Sequence, residues 1–589
     1  MSQHAAPTAT PTRDTDRQQL PAPLRRDVRL LGGLLGEVLR EAGGQQLLDD
    51  TERLRHAVIE ARRGQLLPGG PGSGQSAGPD ADPAGDEIAA LVASWPLDRA
   101  ELVARAFTVY FHLSNLAEEL HRVRALRERD TGDAPVRESL AAAVGELRRD
   151  QGAAQLDGLL GRLRVHPVLT AHPTEARRRA VATALRRISD LLMDLDDPRH
   201  GASERADIRR RLREEIDLLW RTSPLRGRAM TPIDEVRTVM AAFDETLFQV
   251  APRVYRALDE ARHEPAPSPA FLRFGSWVGA DRDGNPFVTA QVTRETAVIQ
   301  AEHVLRALEN ATTRIGRALT VHADAAPPSE AFSAALETAE TAHPELLAEL
   351  AARSPGEPYR TYLLYLARRL AATRLRDADL AYGSAADFHR DLLLVQESLA
   401  AAGARRLAFG ELQQLIWQAA TFGFHLAGLE IRQHSAVHTR ALAEVRAGGA
   451  PSALSEQTAE VLATFRAVSW IQDRFGVAAC QRYVVSFTRS ADDIAAVYEL
   501  AARATRSGPP PVLDVVPLFE SGADLSNATA VLSEMIQLAP VRERLAATGR
   551  QLEVMLGYSD SAKELGPVSA TLRLFDVQGQ LARWAADND

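Results

Sequence analysis

Six short apolar or β-branched runs, each followed by polar, charged or small residues, constrain this chain more than any other feature. They are Val165–Thr170, Phe271–Val278, Ala427–Arg432, Tyr483–Thr488, Leu513–Glu520 and Leu552–Tyr558. Near-continuous apolar runs of this length suit strands buried on both faces, as in a parallel sheet. Successive runs are separated by enough chain for a crossover helix, and strands alternating with helices imply parallel pairing. The polar residues cluster just past the carboxyl ends of the runs. A (β/α)8 barrel and a doubly wound sheet both place their active sites there.

The text between the runs reads as helix. Leu31, Leu34, Leu35, Val38 and Leu39 share one face of a segment from Leu24 to Arg40, and Ile208, Leu212, Ile216 and Leu219 form another stripe. Helical text resumes near Glu87 and continues past Leu120, and residues 290–420 are mostly helical, with breaks near Pro327, Pro344 and Pro355. Residues 1–20 are polar and read as a disordered tail. Pro68–Gly85 is rich in Gly, Pro, Ser and Asp and reads as a flexible surface loop. The expected domains are an N-terminal helical region over 21–164, then a strand-bearing region over 165–589 with helical insertions at 176–265 and 290–420.

Composition excludes several classes. Lys+Arg is 69 and Asp+Glu 78, a net charge of -9, so the chain is not built to coat itself in nucleic acid. One cysteine, Cys480, excludes a disulfide framework within the chain and any multi-cysteine metal site, and fits a reducing compartment. No apolar run approaches the ~18 residues that would span a bilayer, and Met1 to Gln19 has no apolar stretch of the signal-peptide kind. A cytoplasmic protein without a membrane partner is expected. All the basic residues but Lys563 are arginine. Coding bias explains the arginines. The one remaining lysine is either chance or the mark of a place where a compact ammonium cannot be replaced by a guanidinium.

Five motifs carry chemistry. In Leu169-Thr170-Ala171-His172-Pro173-Thr174-Glu175, Pro173 holds His172 extended at a strand-to-helix junction, where an imidazole suits proton transfer; the bland reading is a satisfied core histidine. In Gly275 to Pro286, Asp281 and Asp283 flank Arg282 in a Gly-rich turn, either a polar network for a ligand or an Asx-turn braced by its own ion pair. In Leu429 to His434, Arg432 ends a buried run and needs an anionic partner. That partner is a substrate phosphate or a carboxylate such as Glu430. Glu520 and Asp560 each follow an apolar run, and two such carboxylates with open positions suit Mg²⁺ or Mn²⁺. Lys563 lies one turn beyond Asp560 if a helix starts there. Together these residues suit a phosphorylated, anionic substrate.

The motifs TAHPTE (Thr170 to Glu175), GSWVGADRDGNPFVT (Gly275 to Thr289), LEIRQHS (Leu429 to Ser435), PLFES (Pro517 to Ser521) and GYSDSAKE (Gly557 to Glu564) resemble those of phosphoenolpyruvate carboxylase, in the same order. The likeness runs from about residue 21 to the end. It implies an α/β, predominantly helical fold with a (β/α)8 barrel among many additional helices, in a tetramer. It also implies carboxylation of phosphoenolpyruvate with bicarbonate to oxaloacetate and phosphate, through carboxyphosphate and an enolate, with Mg²⁺ or Mn²⁺. His172 matches the family's catalytic histidine and Lys563 its essential lysine. Glu520 and Asp560 match the metal ligands, and Arg432 a substrate-phosphate arginine, with Arg282 as a second substrate-binding arginine. Val278 and Ala280 stand where the family more often has Met and Gly.

Family chains continue for several hundred residues past the last motif, with a Gly-Arg-Gly-Gly loop, further phosphate-binding arginines and a site for inhibitory aspartate. None appears here. The resemblance therefore implies an incomplete barrel of about six strands, active when a complementing carboxyl-terminal chain is present. The alternatives are an inactive truncated homologue and a helical scaffold or regulatory partner of an intact carboxylase.

Overall fold

A computed structural model describes residues 21–66, 83–130, 132, 134–170, 178–223, 230–262, 266–448, 454–505 and 508–589. The chain forms two compact units, Met1–Arg137 with Thr174–Ala229, and Glu138–Pro173 with Met230–Asp589.

The first unit is helical among its described residues. Its helices are Ala22–Leu66 (broken at Gly44, φ 75°), Pro83–Ala93, Leu97–Arg129, Arg179–Leu195 and Ala202–Arg221. Both apolar stripes seen in the sequence contribute to its core: Leu31, Leu35 and Val38 from one, and Ile208, Leu212, Ile216 and Leu219 from the other. The expected surface loop Pro68–Gly85 is corrected at its end, because residues 83–85 open a helix. Proline is well suited to a first helical turn, where its missing N–H costs nothing. The rest of that loop, like the tail 1–20, lies outside the described residues.

The second unit holds the strands: β1 (Val168–Leu169), β2 (Gly275–Ser276), β3 (Gly428–Leu429), β4 (Ile431–His434), β5 (Arg482–Ser486), β6 (Asp514–Phe519) and β7 (Met555–Leu556). Every run singled out in the sequence contains a strand, and every pairing is parallel. The run Ala427–Arg432 supplies two, β3 and β4, interrupted at Glu430. Two ladders result, β1-β2-β3 and β4-β5-β6-β7, each in chain order without reversal. Beyond β2 the chain turns at Trp277–Ala280 and returns to the sheet, where Asp281 bridges Arg432 in parallel.

Side-chain alternation gives the sheet two faces. Tyr483, Val485, Val515 and Phe519 pack outward under helices. Val484, Val516 and Leu518 pack together on the other face, with Met555 against them. Burial on both faces is why these runs are nearly continuous in apolar residues. The stretch 290–420 is helical as expected. Pro344 and Pro358 sit in first helical turns, and the helix Glu330–Ala342 starts just after Pro327.

Candidate active site

The site is built where β4, β6 and β7 end. Glu520 follows β6 directly and is 3% exposed, yet it is not left unpaired. The backbone N–H of Phe487, just after β5, donates to its Oε1 at 3.1 Å. Gly557 follows β7 and pairs its N–H with Phe519 O at 2.9 Å. A Cβ on Gly557 would lie 2.6 Å from the Cβ of Glu520, so only glycine lets the two strand ends come this close. The helix Tyr558–Leu565 begins at once, with Asp560 in its first turn and Lys563 one turn on. Lys563 Nζ donates to Asp560 Oδ1 at 3.0 Å, and the lysine side chain remains 78% exposed.

Glu520 and Asp560 stand close enough that each shifts the ionisation of the other. Burial pushes the Glu520 carboxyl up to about 7, and the nearby charge of Asp560 adds to the rise, while the Phe487 N–H and the Arg432 guanidinium pull it back. Asp560 moves the other way, drawn below the usual carboxylate range chiefly by its hydrogen bond to Lys563. Two environments thus push two adjacent carboxyls apart. Among the described residues no group of three or more His, Cys, Asp or Glu is arranged to hold a metal. The donor chemistry of this pair nevertheless fits a hard divalent cation, which takes one or two carboxylates and completes its shell with water and substrate oxygens. A cation would also offset the burial, and the lesser effect of the Asp560 charge, that raise the Glu520 carboxyl.

Arg432, in β4, acts electrostatically on both carboxyls. Its own ion-pair partners are Asp283, 2.8 Å from Nη2, and Asp281, 3.4 Å from Nε. Its guanidinium carbon stands 4.7 Å from the ring centroid of Trp277. The carboxylates of the Gly-rich turn therefore serve Arg432, 149 residues beyond Asp283, and not the arginine between them. The Asx-turn itself forms, with Asp283 N donating to Asp281 Oδ1 at 3.0 Å. Arg282 is buried. Its Nη1 donates to Ala280 O and its Nη2 to Thr293 Oγ1, both at 2.7 Å. Glu430 is not the partner of Arg432 either, since His166 Nε2 lies 2.7 Å from its Oε1 and Trp277 Nε1 donates to its Oε2 at 2.8 Å.

The structure thus brings Arg432, Glu520, Asp560 and Lys563 together and turns Arg282 away from them. His172 lies outside the described residues. Three contributors were not singled out by sequence reasoning. Trp277 lies inside a quoted motif and could have been noticed as an aromatic beside a Gly-rich turn. His434 likewise sits in a quoted motif. Phe487 carries no local signal, because its role depends on a backbone conformation.

The family model for phosphoenolpyruvate carboxylase matches residues 24–453 and 448–589. Among curated relatives, the phosphoenolpyruvate carboxylase of Roseiflexus castenholzii is 36% identical over 95% of this chain and 63% of its own length. That of Xanthomonas campestris pv. campestris (strain 8004) is 34% identical over 96% and 64%, and that of Rhodopseudomonas palustris (strain ATCC BAA-98 / CGA009) 31% over 94% and 62%. The chain spans a little under two thirds of the length of these relatives. A family match over residues 24–453 and 448–589 places the chain in the phosphoenolpyruvate carboxylase family.

Proposed function

We propose that this chain carries the cation- and phosphate-binding part of a phosphoenolpyruvate carboxylase, which converts phosphoenolpyruvate and bicarbonate to oxaloacetate and phosphate. The observation that carries the reading is the meeting of Glu520 and Asp560, at two adjacent strand ends, with Arg432 and Lys563. Glu520 and Asp560 would hold Mg²⁺ or Mn²⁺, which when bound supplies charge stabilisation for an oxyanion developing on the substrate. Arg432, already oriented by Asp281, Asp283 and Trp277, binds the substrate phosphate through its guanidinium. The Lys563 ammonium adds a mobile positive charge at the mouth of the site. Leu518 and Met555, on the strands that end at the two carboxylates, pack in an apolar cluster with Val484 and Val516. His172, at the end of the first strand-bearing run, moves a proton at its imidazole nitrogen. Arg282 braces the turn that carries Asp281 and Asp283, the ion-pair partners of Arg432.

The fold belongs to the same reading. Unreversed, chain-ordered parallel pairing supports six consecutive positions of a (β/α)8 barrel, with β3 and β4 as one position. It does not suit a doubly wound sheet, whose order reverses at a switch point. On this reading β1 and β7 are edges. The helix Pro567–Asp587 presents Val568, Leu572 and Phe575 uncovered, at 62–75% exposure. We place the protein in the cytoplasm, as an oligomer or together with a complementing chain.

The test is oxaloacetate formation from phosphoenolpyruvate, bicarbonate and Mg²⁺ or Mn²⁺. It uses the purified chain alone and the chain mixed with the remaining third of a relative. Oxaloacetate in either arm, lost in Glu520→Gln, is expected. None in either arm, from folded chain that binds Mn²⁺, refutes the reading.

A further inference from the structure

We propose that Phe487 is a positioning residue for Glu520, holding its carboxylate toward Asp560 so that the pair forms a preset seat for a divalent cation. The proposal rests on Glu520 and Asp560 being cation ligands. Phe487 has φ +52°, the left-handed region, which an aromatic residue enters only under constraint. In the ordinary β region its N–H would continue the ladder of β5. In the left-handed one it turns to Glu520 Oε1, at 3.1 Å.

The constraint comes from the neighbouring strand end. Ser435 Oγ donates to Phe487 O at 2.8 Å, fixing the other side of the residue. The His434 ring stacks on the Phe487 ring, with centroids 4.8 Å apart and planes at 26°. His434 is itself held, since its Nδ1 accepts from Ala436 N at 3.0 Å. Thr488 N then returns to the sheet by donating to Leu518 O at 3.2 Å. The residue is therefore gripped from both sides and by its ring. The one group this leaves pointing into the site is the N–H that Glu520 accepts. That bond fixes the carboxylate by one lone pair of Oε1 and leaves its other acceptor sites for a cation. Supporting bonds of this kind fix ligand orientation, and their loss costs roughly 10–100-fold in metal affinity.

The test measures Mn²⁺ binding to the full chain by paramagnetic resonance and calorimetry, with the unfolding midpoint followed alongside. Glu520→Gln is the reference and should abolish binding. If it binds Mn²⁺ as wild type does, the cation reading fails and this proposal falls with it. Phe487→Gly accepts the left-handed conformation but no longer enforces it, and its Mn²⁺ affinity should drop about ten-fold. Phe487→Tyr keeps the stacked ring and should retain wild-type affinity. His434→Ala loosens Phe487 from outside and should weaken binding in the same direction, so the proposal stays open to refutation even if Phe487→Gly does not fold. Wild-type Mn²⁺ affinity in Phe487→Gly or His434→Ala, with binding lost in Glu520→Gln, overturns the positioning role alone.

Discussion

Gly557→Ala isolates the close approach on which the site depends. Gly557 has φ -89° and ψ 115°, a conformation open to any residue, so backbone strain is not at issue. On chain entropy alone, alanine would stabilise the fold by about 0.4–1 kcal/mol. Space decides otherwise. The added Cβ would stand 2.6 Å from Glu520 Cβ and 3.2 Å from its Cα. Carbon contacts are comfortable near ~3.5–4.0 Å, so β6 and β7 must part by roughly 1 Å. Two register pairs, the Gly557–Phe519 hydrogen bond and the bond from Gly522 N to Glu564 Oε2 hold these ends together. Overpacking of this kind costs about 1–3 kcal/mol, which outweighs the entropic gain. Gly145 is the control. It lies within the helix Leu140–Gln151, and a Cβ added there would meet nothing within 4 Å, so Gly145→Ala should stabilise by up to about 1 kcal/mol. Denaturant midpoints followed by circular dichroism, with Mn²⁺ titration of each variant, give the readout. Gly557→Ala should unfold earlier and bind Mn²⁺ at least ten-fold more weakly, and Gly145→Ala should unfold later with affinity unchanged. A Gly557→Ala chain as stable as wild type, with wild-type Mn²⁺ affinity, would refute the reasoning.

Further outcomes follow from the charges. Glu520 in the cation-free chain titrates at about 7, above its ordinary range, so a bound cation must displace its proton below that pH. Mn²⁺ affinity should fall by up to about ten-fold per pH unit below 7. Calorimetry in buffers of different ionisation enthalpy should show close to one proton released at pH 6 and almost none at pH 8.5. Lys563 lies beside the proposed cation, so Lys563→Ala should tighten Mn²⁺ binding modestly, about two- to five-fold given its exposure, while oxaloacetate formation is lost. Weaker Mn²⁺ binding in that variant would contradict the assigned geometry. His438 is fully buried, its Nε2 is 2.8 Å from Tyr483 OH, and burial holds its imidazole down to about 4. The unfolded chain binds that proton from about pH 6.5 downward. Stability is therefore unaffected above pH 6.5 and lost as pH falls toward 4, by about 3 kcal/mol in all. Urea midpoints at pH 7 and pH 4.5 should show a smaller drop in His438→Gln than in wild type.

What could be read from the sequence, and what could not, divides along a physical line. β5 and β6 were legible because a strand buried on both faces must be apolar at nearly every position, as Tyr483–Ser486 and Val515–Phe519 are. β2 and β3 are shorter than their runs for a reason the runs do not carry. A Cβ on Gly275 would lie 2.5 Å from Glu430 Oε1, so the sheet there is drawn around a buried carboxylate that interrupts one strand and forbids a side chain on its neighbour. Lys563 was legible twice, by its isolation in the composition and by its spacing from Asp560, which the helix Tyr558–Leu565 realises as a 3.0 Å contact.

The turn Asp281-Arg282-Asp283 misleads because adjacency suggests an internal pair, whereas successive side chains of an extended or tightly turning backbone diverge. Both carboxylates instead reach Arg432, and Arg282 turns back to Ala280 and Thr293. Phe487 was out of reach of any such reading. Nothing in an aromatic residue after an apolar run announces a positive φ, because that conformation is imposed by His434 and Ser435, more than fifty residues earlier in the chain. Residues that touch a substrate or a cation are chosen for their chemistry and so leave a mark on the sequence. Residues that aim them are chosen for shape, through contacts made only on folding. The two acids, Arg432 and the lysine therefore stand out in the sequence, while the peptide that bonds Glu520 is found only by asking where each buried N–H points.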